Sequence, residues 1–180
     1  MSTSPGTQHV IPAATVTHTI AVVRGDLQSD ITVYHARTSD ARIALTFGTM
    51  LMNLYSASAA QGLLEAFTAA RAAIAQVPRE ILAPAAPPYE PFARTTLAIE
   101  WTRRPTYCVV PQSGPNRSNN TIIHWVDLHC GPITFQIRDQ LGLKSTLALL
   151  SRTHNTAVAV FLDGPEHADD PTRDNYRSPQ

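Results

Sequence analysis

Four side chains that could ligate a metal or handle a proton crowd one short stretch: His124, Asp127, His129 and Cys130. Zinc takes Cys, His and carboxylate ligands in a tetrahedron. The stretch has strand character, and successive side chains on a strand point to opposite faces. His124 and Cys130 then face one way and Asp127 and His129 the other, so one metal cannot readily collect both sets. No metal and no other cofactor is expected. Cys108 with a histidine would make a nucleophile pair, but no helix N-terminus follows it, and Val109 and Val110 suggest a buried strand. The G-x-S-x-G, phosphate-loop and G-x-G-x-x-G patterns do not occur. No catalytic residue is assigned, and an enzyme of unidentified class is the least favoured reading.

Binding chemistry is better represented. Arg103, Arg104, Tyr107, Arg117 and Trp125, with Trp101, surround or flank the segment 105–120. Aromatic rings interleaved with guanidinium groups suit single-stranded nucleic acid, whose bases stack while its phosphates pair with arginine. They equally suit a protein interface, where Trp, Tyr and Arg dominate the anchoring contacts. Trp101 shares its strand face with Leu97 and Ile99, which marks it as a core residue. Trp125 shares a face with Ile123, Asp127 and His129 and is the better candidate for partial exposure. Arg103, Arg104, Tyr107, Arg117 and Trp125 are therefore the expected binding residues.

These residues need strands and helices to position them. Ile43, Leu45 and Phe47 alternate with smaller or polar residues, the period of a half-buried strand. A further apolar run from Met50 to Tyr55 follows, then Ser56 or Ser58 as a helix N-cap. Leu63, Phe67, Ala70, Ile74 and Val77 fall at steps of three and four, placing them on one helical face, and Pro78 opposes continuation. Upstream, 10–24 and 31–38 read as strands. The second half echoes the first: Thr17, Ile20, Val22 and Arg24 match Thr96, Ile99, Trp101 and Arg103, Ile31 and Tyr34 match Ile122 and Trp125, Ile43, Leu45 and Phe47 match Ile133, Phe135 and Ile137, and Met52, Leu54 and Ser56 match Leu141, Leu143 and Ser145. In that alignment the second half carries about a dozen extra residues within 105–120, of which 111–120 is read as a turn-rich loop. Ser145 would cap a second helix bearing Leu147, Leu150, His154, Ala157 and Phe161 on one face, with helix favoured over strand for 156–162.

The expected fold is α+β: two similar halves, each an antiparallel β-meander plus a helix (ββββα twice), consistent with an internal duplication. The divisions are a disordered tail over 1–9, the first half over 10–77, a proline-rich linker over 78–92, the second half over 93–162, and a second disordered tail over 163–180. This layout resembles that of the Whirly and PUR families, which fold as duplicated four-strand-plus-helix units. The resemblance implies single-stranded nucleic-acid binding. It lies in topology alone, with no sequence motif of either family, and carries over no binding residue.

Fourteen cationic side chains balance 14 acidic ones, giving a formal net charge of +0. That opposes strong nonspecific attraction to duplex DNA or anionic membranes. Two cysteines are too few for a disulfide framework. Met1–Gln8 lacks the apolar core of a signal peptide, and no apolar run approaches membrane-spanning length. A cytoplasmic location with no membrane association is expected. A single lysine among arginines, with abundant alanine, fits GC-rich coding such as that of actinobacteria or their phages. The favoured function is a non-enzymatic binding or interaction protein, an accessory protein of a phage, plasmid or actinobacterium. Its partner would be an unidentified protein or a second copy of itself, with single-stranded nucleic-acid binding as the alternative.

Overall fold

The computed structural model describes residues 16–81, 96–116 and 120–178. In chain order the elements are β1 (Thr19–Val23), β2 (Ser29–Tyr34), β3 (Arg42–Phe47), β4 (Met50–Leu54), α1 (Ala57–Ala69), β5 (Leu97–Trp101), β6 (Tyr107–Asn116), β7 (Thr121–Cys130), β8 (Ile133–Ile137) and α2 (Gln140–Val160). The fold is α+β, with two four-stranded sheets and two helices, and the halves β1–β4–α1 and β5–β8–α2 share one layout.

The halves exchange their first strands. One sheet runs β1-β8-β7-β6 and the other β2-β3-β4-β5. Within each, three consecutive strands form an antiparallel meander, while β1 joins β8 and β5 joins β4 in parallel. Each sheet is thus completed by the leading strand of the other half, so neither half closes a sheet alone. Both tight hairpins use one device: Gly48 and Gly131 open the β3–β4 and β7–β8 turns with φ of 60° and 52°. Glycine takes that left-handed conformation at no steric cost.

The register gives the internal correspondence. Ile43 faces Leu54 as Val126 faces Ile137, and Leu45 faces Met52 as Leu128 faces Phe135. Ile31 faces Leu45 as Val109 faces Leu128, and Trp101 faces Leu54 as Val23 faces Ile137. The echo read from the sequence set β1 on β5, one residue out of register, but beyond those strands it was one strand out of step. It set β2 on β7 and β3 on β8, because any two alternating strands match at the level of pattern. The extra length shrinks accordingly from about a dozen residues to a few. Most of 111–120 is not loop: β6 and β7 continue pairing out to Asn116 and Thr121.

Ser56 caps α1, its side chain accepting from the Ala59 N–H. Leu63, Phe67 and Ala70 are buried as the helical steps require, but the α-helix ends at Ala69 and a 3₁₀ turn, Ala70–Ala73, finishes the element. The second helix starts a turn before Ser145, at Gln140, and Asp139 caps it. Leu147, Leu150, His154, Ala157 and Phe161 are all buried, and 156–160 is helical. The helices pack on each other; α1 also touches β4, β6 and β7, and α2 touches β2 and β8. Phe67 on α1 meets Phe135 on β8 with ring centroids 5.0 Å apart, a tilted pair at the centre of the core.

Each helix N-terminus is closed by the chain that follows the other helix. Gln140 and Leu141 donate their N–H groups to the carbonyls of Pro78 and Arg79 at 2.9 and 3.0 Å. Ala57 and Ser58 donate theirs to the two carboxylate oxygens of Asp163 at 3.0 and 3.1 Å. The expected disordered tail from 163 does not describe residues 163–178. They form a 3₁₀ turn, Gly164–His167, and hydrogen-bond to both halves. Their polar composition satisfies backbone and side-chain groups instead of an apolar face, so no hydrophobic periodicity announced them. The tail over 1–9 and most of the 78–92 linker lie outside the described residues. No helix among the described residues is long and apolar enough to cross a membrane.

Candidate functional site

The structure distributes the expected binding residues among separate environments. Arg104 lies between β5 and β6, half-buried against α1. Its Nη1 donates to Gln61 Oε1 at 2.8 Å, and its Nη2 reaches Glu65 Oε2 and the Tyr176 hydroxyl. Tyr107 joins the same group, donating from its hydroxyl to Glu65 Oε1 at 3.0 Å, and Tyr176 donates to Glu65 Oε2 at 2.8 Å. Arg104 and Tyr107 are thus together, but their polar groups are engaged by Glu65. A phosphate could recruit Arg104 only by displacing that carboxylate. Gln61, Glu65 and Tyr176 were missed by sequence reasoning. Gln61 and Glu65 stand four residues apart on α1, but nothing in the sequence tied them to Tyr176.

Gly62 explains how closely this group is assembled. A Cβ there would lie 2.5 Å from Arg104 Cγ and 2.8 Å from Pro105 Cδ, so glycine lets the β5–β6 connection lie directly on α1. Arg103, one residue earlier, is exposed and makes no ion pair among the described residues. Arg117 lies outside the described residues. Trp125 is elsewhere, half-buried on the outer face of the β1-β8-β7-β6 sheet. Its Nε1 donates to Asp127 Oδ1 at 3.0 Å, and Arg138 stacks 4.5 Å from the ring centroid. Among the described residues of the expected set, Arg104 and Tyr107 come together and Trp125 lies apart.

Strand alternation separates the histidine–cysteine stretch as expected. His124 and Cys130 are on the inner side of β7 and Asp127 and His129 on the outer. Thr134 Oγ1 lies 2.7 Å from His129 Nδ1 and 3.0 Å from His18 Nε2, linking two imidazoles through one hydroxyl. Among the described residues no three His, Cys, Asp or Glu side chains are grouped to hold a metal. Burial pushes the Cys130 thiol up to about 12, which keeps it protonated and unreactive. Cys108 is exposed on β6.

A different feature has the form of a site. Sheet edges expose unpaired backbone groups and are ordinarily guarded by charge or proline. The edge strand β2 carries Asp30, β5 carries Glu100, and β6 carries Pro111 and Pro115. The fourth edge, β1, reads Thr-Ile-Ala-Val-Val, with no charge and no proline. Val22 occupies the position that Glu100 holds in the other half. Ile20 and Val22 are 59% and 55% exposed on the outer face. Thr19 N donates to Pro132 O, and Val23 O accepts from Arg138 N. The odd-numbered residues therefore bond to β8, and Ile20 and Val22 turn their N–H and C=O groups to the open edge. Beside this edge lies a groove of about 400 Å³, lined by Ala21, Leu27, Phe47, Met50 and Leu97 among others and by no charged side chain.

No family model matches this chain, and neither a curated protein nor a solved structure matches it. The open edge can do what an unpaired strand does: accept another extended strand through main-chain hydrogen bonds, with alternate side chains meeting an apolar groove.

Proposed function

We propose that this chain is a non-enzymatic interaction protein that self-associates by strand addition at β1. The observation that carries the reading is the contrast among the four sheet edges, three guarded and β1 unguarded. Antiparallel pairing of β1 with β1 of a second copy is self-complementary about Ala21. Ile20 of each copy falls opposite Val22 of the other, and both residues use their outward backbone groups. A two-fold interface requires that reciprocity. The two four-stranded sheets would become one continuous sheet, and the exposed apolar side chains of β1 would cover one another.

The test is sedimentation velocity over a range of concentrations for the wild type and for Val22→Glu, which copies the guard found on β5. The wild type is expected to show a concentration-dependent dimer. The variant should stay monomeric with an unchanged melting temperature, because residue 22 is exposed. A wild type that is monomeric throughout, or a variant that dimerises like the wild type, would refute the reading. Single-stranded nucleic-acid binding draws less support, because Arg104 is neutralised by Glu65 and Trp125 lies apart from it. Salt-sensitive binding of labelled oligo-dT by the wild type would reverse that preference.

A further inference from the structure

We infer that the groove between the Ala70–Ala73 turn and the start of α2 docks an acidic peptide segment of a protein partner, held by Arg71 and Lys144. The groove measures about 510 Å³. Ile74, Leu143 and Leu147 give it an apolar lining, and Arg71 and Lys144 line it as exposed cations. No carboxylate lines it among the described residues, and neither cation makes an ion pair with any of them.

The duplicated scaffold shows what such a groove holds. Ile43 and Val126, Gly48 and Gly131, Leu54 and Ile137, and the caps Ser56 and Asp139 correspond at one constant spacing. Carried along the helices, that spacing sets Lys144 in the place of Gln61 and Arg71 in the place of His154. The counterpart of this groove therefore lies between the start of α1 and the end of α2, and main chain occupies it. Gln61 Nε2 and His154 Nε2 lie 3.3 and 2.7 Å from one oxygen, the carbonyl of His167. Gln61 also donates to the Asp169 carbonyl at 2.9 Å. Both side chains are buried, Gln61 at 1% and His154 at 2% exposure.

Two neutral groups thus meet a peptide carbonyl in one groove, and two cations hold the same places in the other. A cationic pair suits a carboxylate, through charge-assisted hydrogen bonds. Recognition of acidic motifs by clustered cations is a recurring mode of peptide docking. A peptide is favoured over a small carboxylate because the counterpart groove engages main chain from His167 to Asp169. The inference involves no residue of β1 and stands apart from self-association at that strand.

The experiment is fluorescence anisotropy with the full chain and a labelled peptide of sequence 163–172. That sequence carries Asp163, Glu166, Asp169 and Asp170, and it supplies the main chain found in the counterpart groove. Saturable binding that weakens as salt rises is expected. The same peptide with Asn and Gln in place of its acids should bind at least about tenfold more weakly. Arg71→Gln and Lys144→Gln, at exposed positions, should each weaken binding by a similar factor with an unchanged melting temperature. Ala148→Glu, also exposed, copies the Glu65 that holds this place on α1 and should abolish binding by repulsion. No binding by the wild type would overturn the inference; occupation of the groove by the chain's own segment 82–95 would give that result. So would full affinity for the neutral peptide, or full affinity in the Arg71 and Lys144 variants. Displacement of the labelled peptide by succinate as readily as by unlabelled peptide would mean a small carboxylate site and overturn the peptide partner.

Discussion

Replacing Asp139 with alanine should be among the most damaging single changes in this chain. The carboxylate is fully buried and accepts from three backbone N–H groups that are far apart in sequence. Gly25 N reaches both oxygens at 2.9 and 3.0 Å, Ile81 N reaches Oδ2 at 3.0 Å, and Gly142 N reaches Oδ1 at 2.7 Å. The Gly142 bond is a helix cap, and losing a cap costs about 1 kcal/mol. The other two donors are left without an acceptor in a part-buried place, at roughly 1–2 kcal/mol each. Together the loss should be about 3–5 kcal/mol, a large share of the 5–15 kcal/mol that typically holds a domain folded. Urea melts of wild type and Asp139→Ala, compared at equal slope, measure it. Asp139→Ser can still cap α2 but reaches neither Gly25 nor Ile81, so it should recover only about 1 kcal/mol. A loss below about 1 kcal/mol in the alanine variant would show that water replaces the carboxylate, and would refute the view of Asp139 as a tie between three segments.

Two further outcomes are expected. Native protein at pH 8 should expose one thiol to a disulfide reagent and denatured protein two, since Cys108 is exposed and burial raises Cys130 from 9.0 to about 12; because the folded state holds Cys130 protonated, its share of stability is present below pH 9 and is lost as pH rises toward 12, and two native thiols reacting at equal rates would contradict this burial. Deleting 168–180 removes the Asp169 carbonyl from Gln61 and the Tyr176 hydroxyl from Arg104 and Glu65, so the melting temperature should fall by at least about 4 °C, with Tyr176→Phe alone costing roughly 1 kcal/mol; an unchanged melting curve for the deletion would make the 163–178 contacts dispensable.

Legibility in the sequence followed the kind of force involved. The apolar periodicity at Ile43, Leu45 and Phe47, and at Leu63, Phe67 and Ala70, located a strand and a helix, because burial of those side chains is what forms the elements. Trp101 was legible as core for the same reason. Strand partners were not. The alternation that identifies Ile31 and Ile133 as strand residues is the same in every strand, so it could not reveal that β1 pairs with β8 or that β2 corresponds to β6. The polar group around Glu65 was hidden because a hydrogen bond between residues such as Arg104 and Tyr176 leaves no local pattern. The dispersal of the described binding residues has a related reason. Proximity in sequence grouped Arg103, Arg104 and Tyr107, and the structure keeps Arg104 and Tyr107 together on Glu65 while Arg103 makes no ion pair among the described residues and Trp125 lies on another face.

Exchange of the leading strands connects these observations. A meander of three antiparallel strands has two edges, and here one edge of each meander is closed by a strand from the other half. Each helix likewise begins against chain that follows the other helix: Pro78 and Arg79 serve α2, and Asp163 serves α1. Asp139 lies at one such crossing, joining the end of β1, the segment after α1 and the start of α2. With the halves interlocked in this way, the polar ties fall at the crossings. The end of β5 is followed by Arg103 and Arg104, while the groove beside β1 is lined by no charged side chain. Closing two meanders by exchange still leaves β1 and β5 with one free side each, and Glu100 protects only the second.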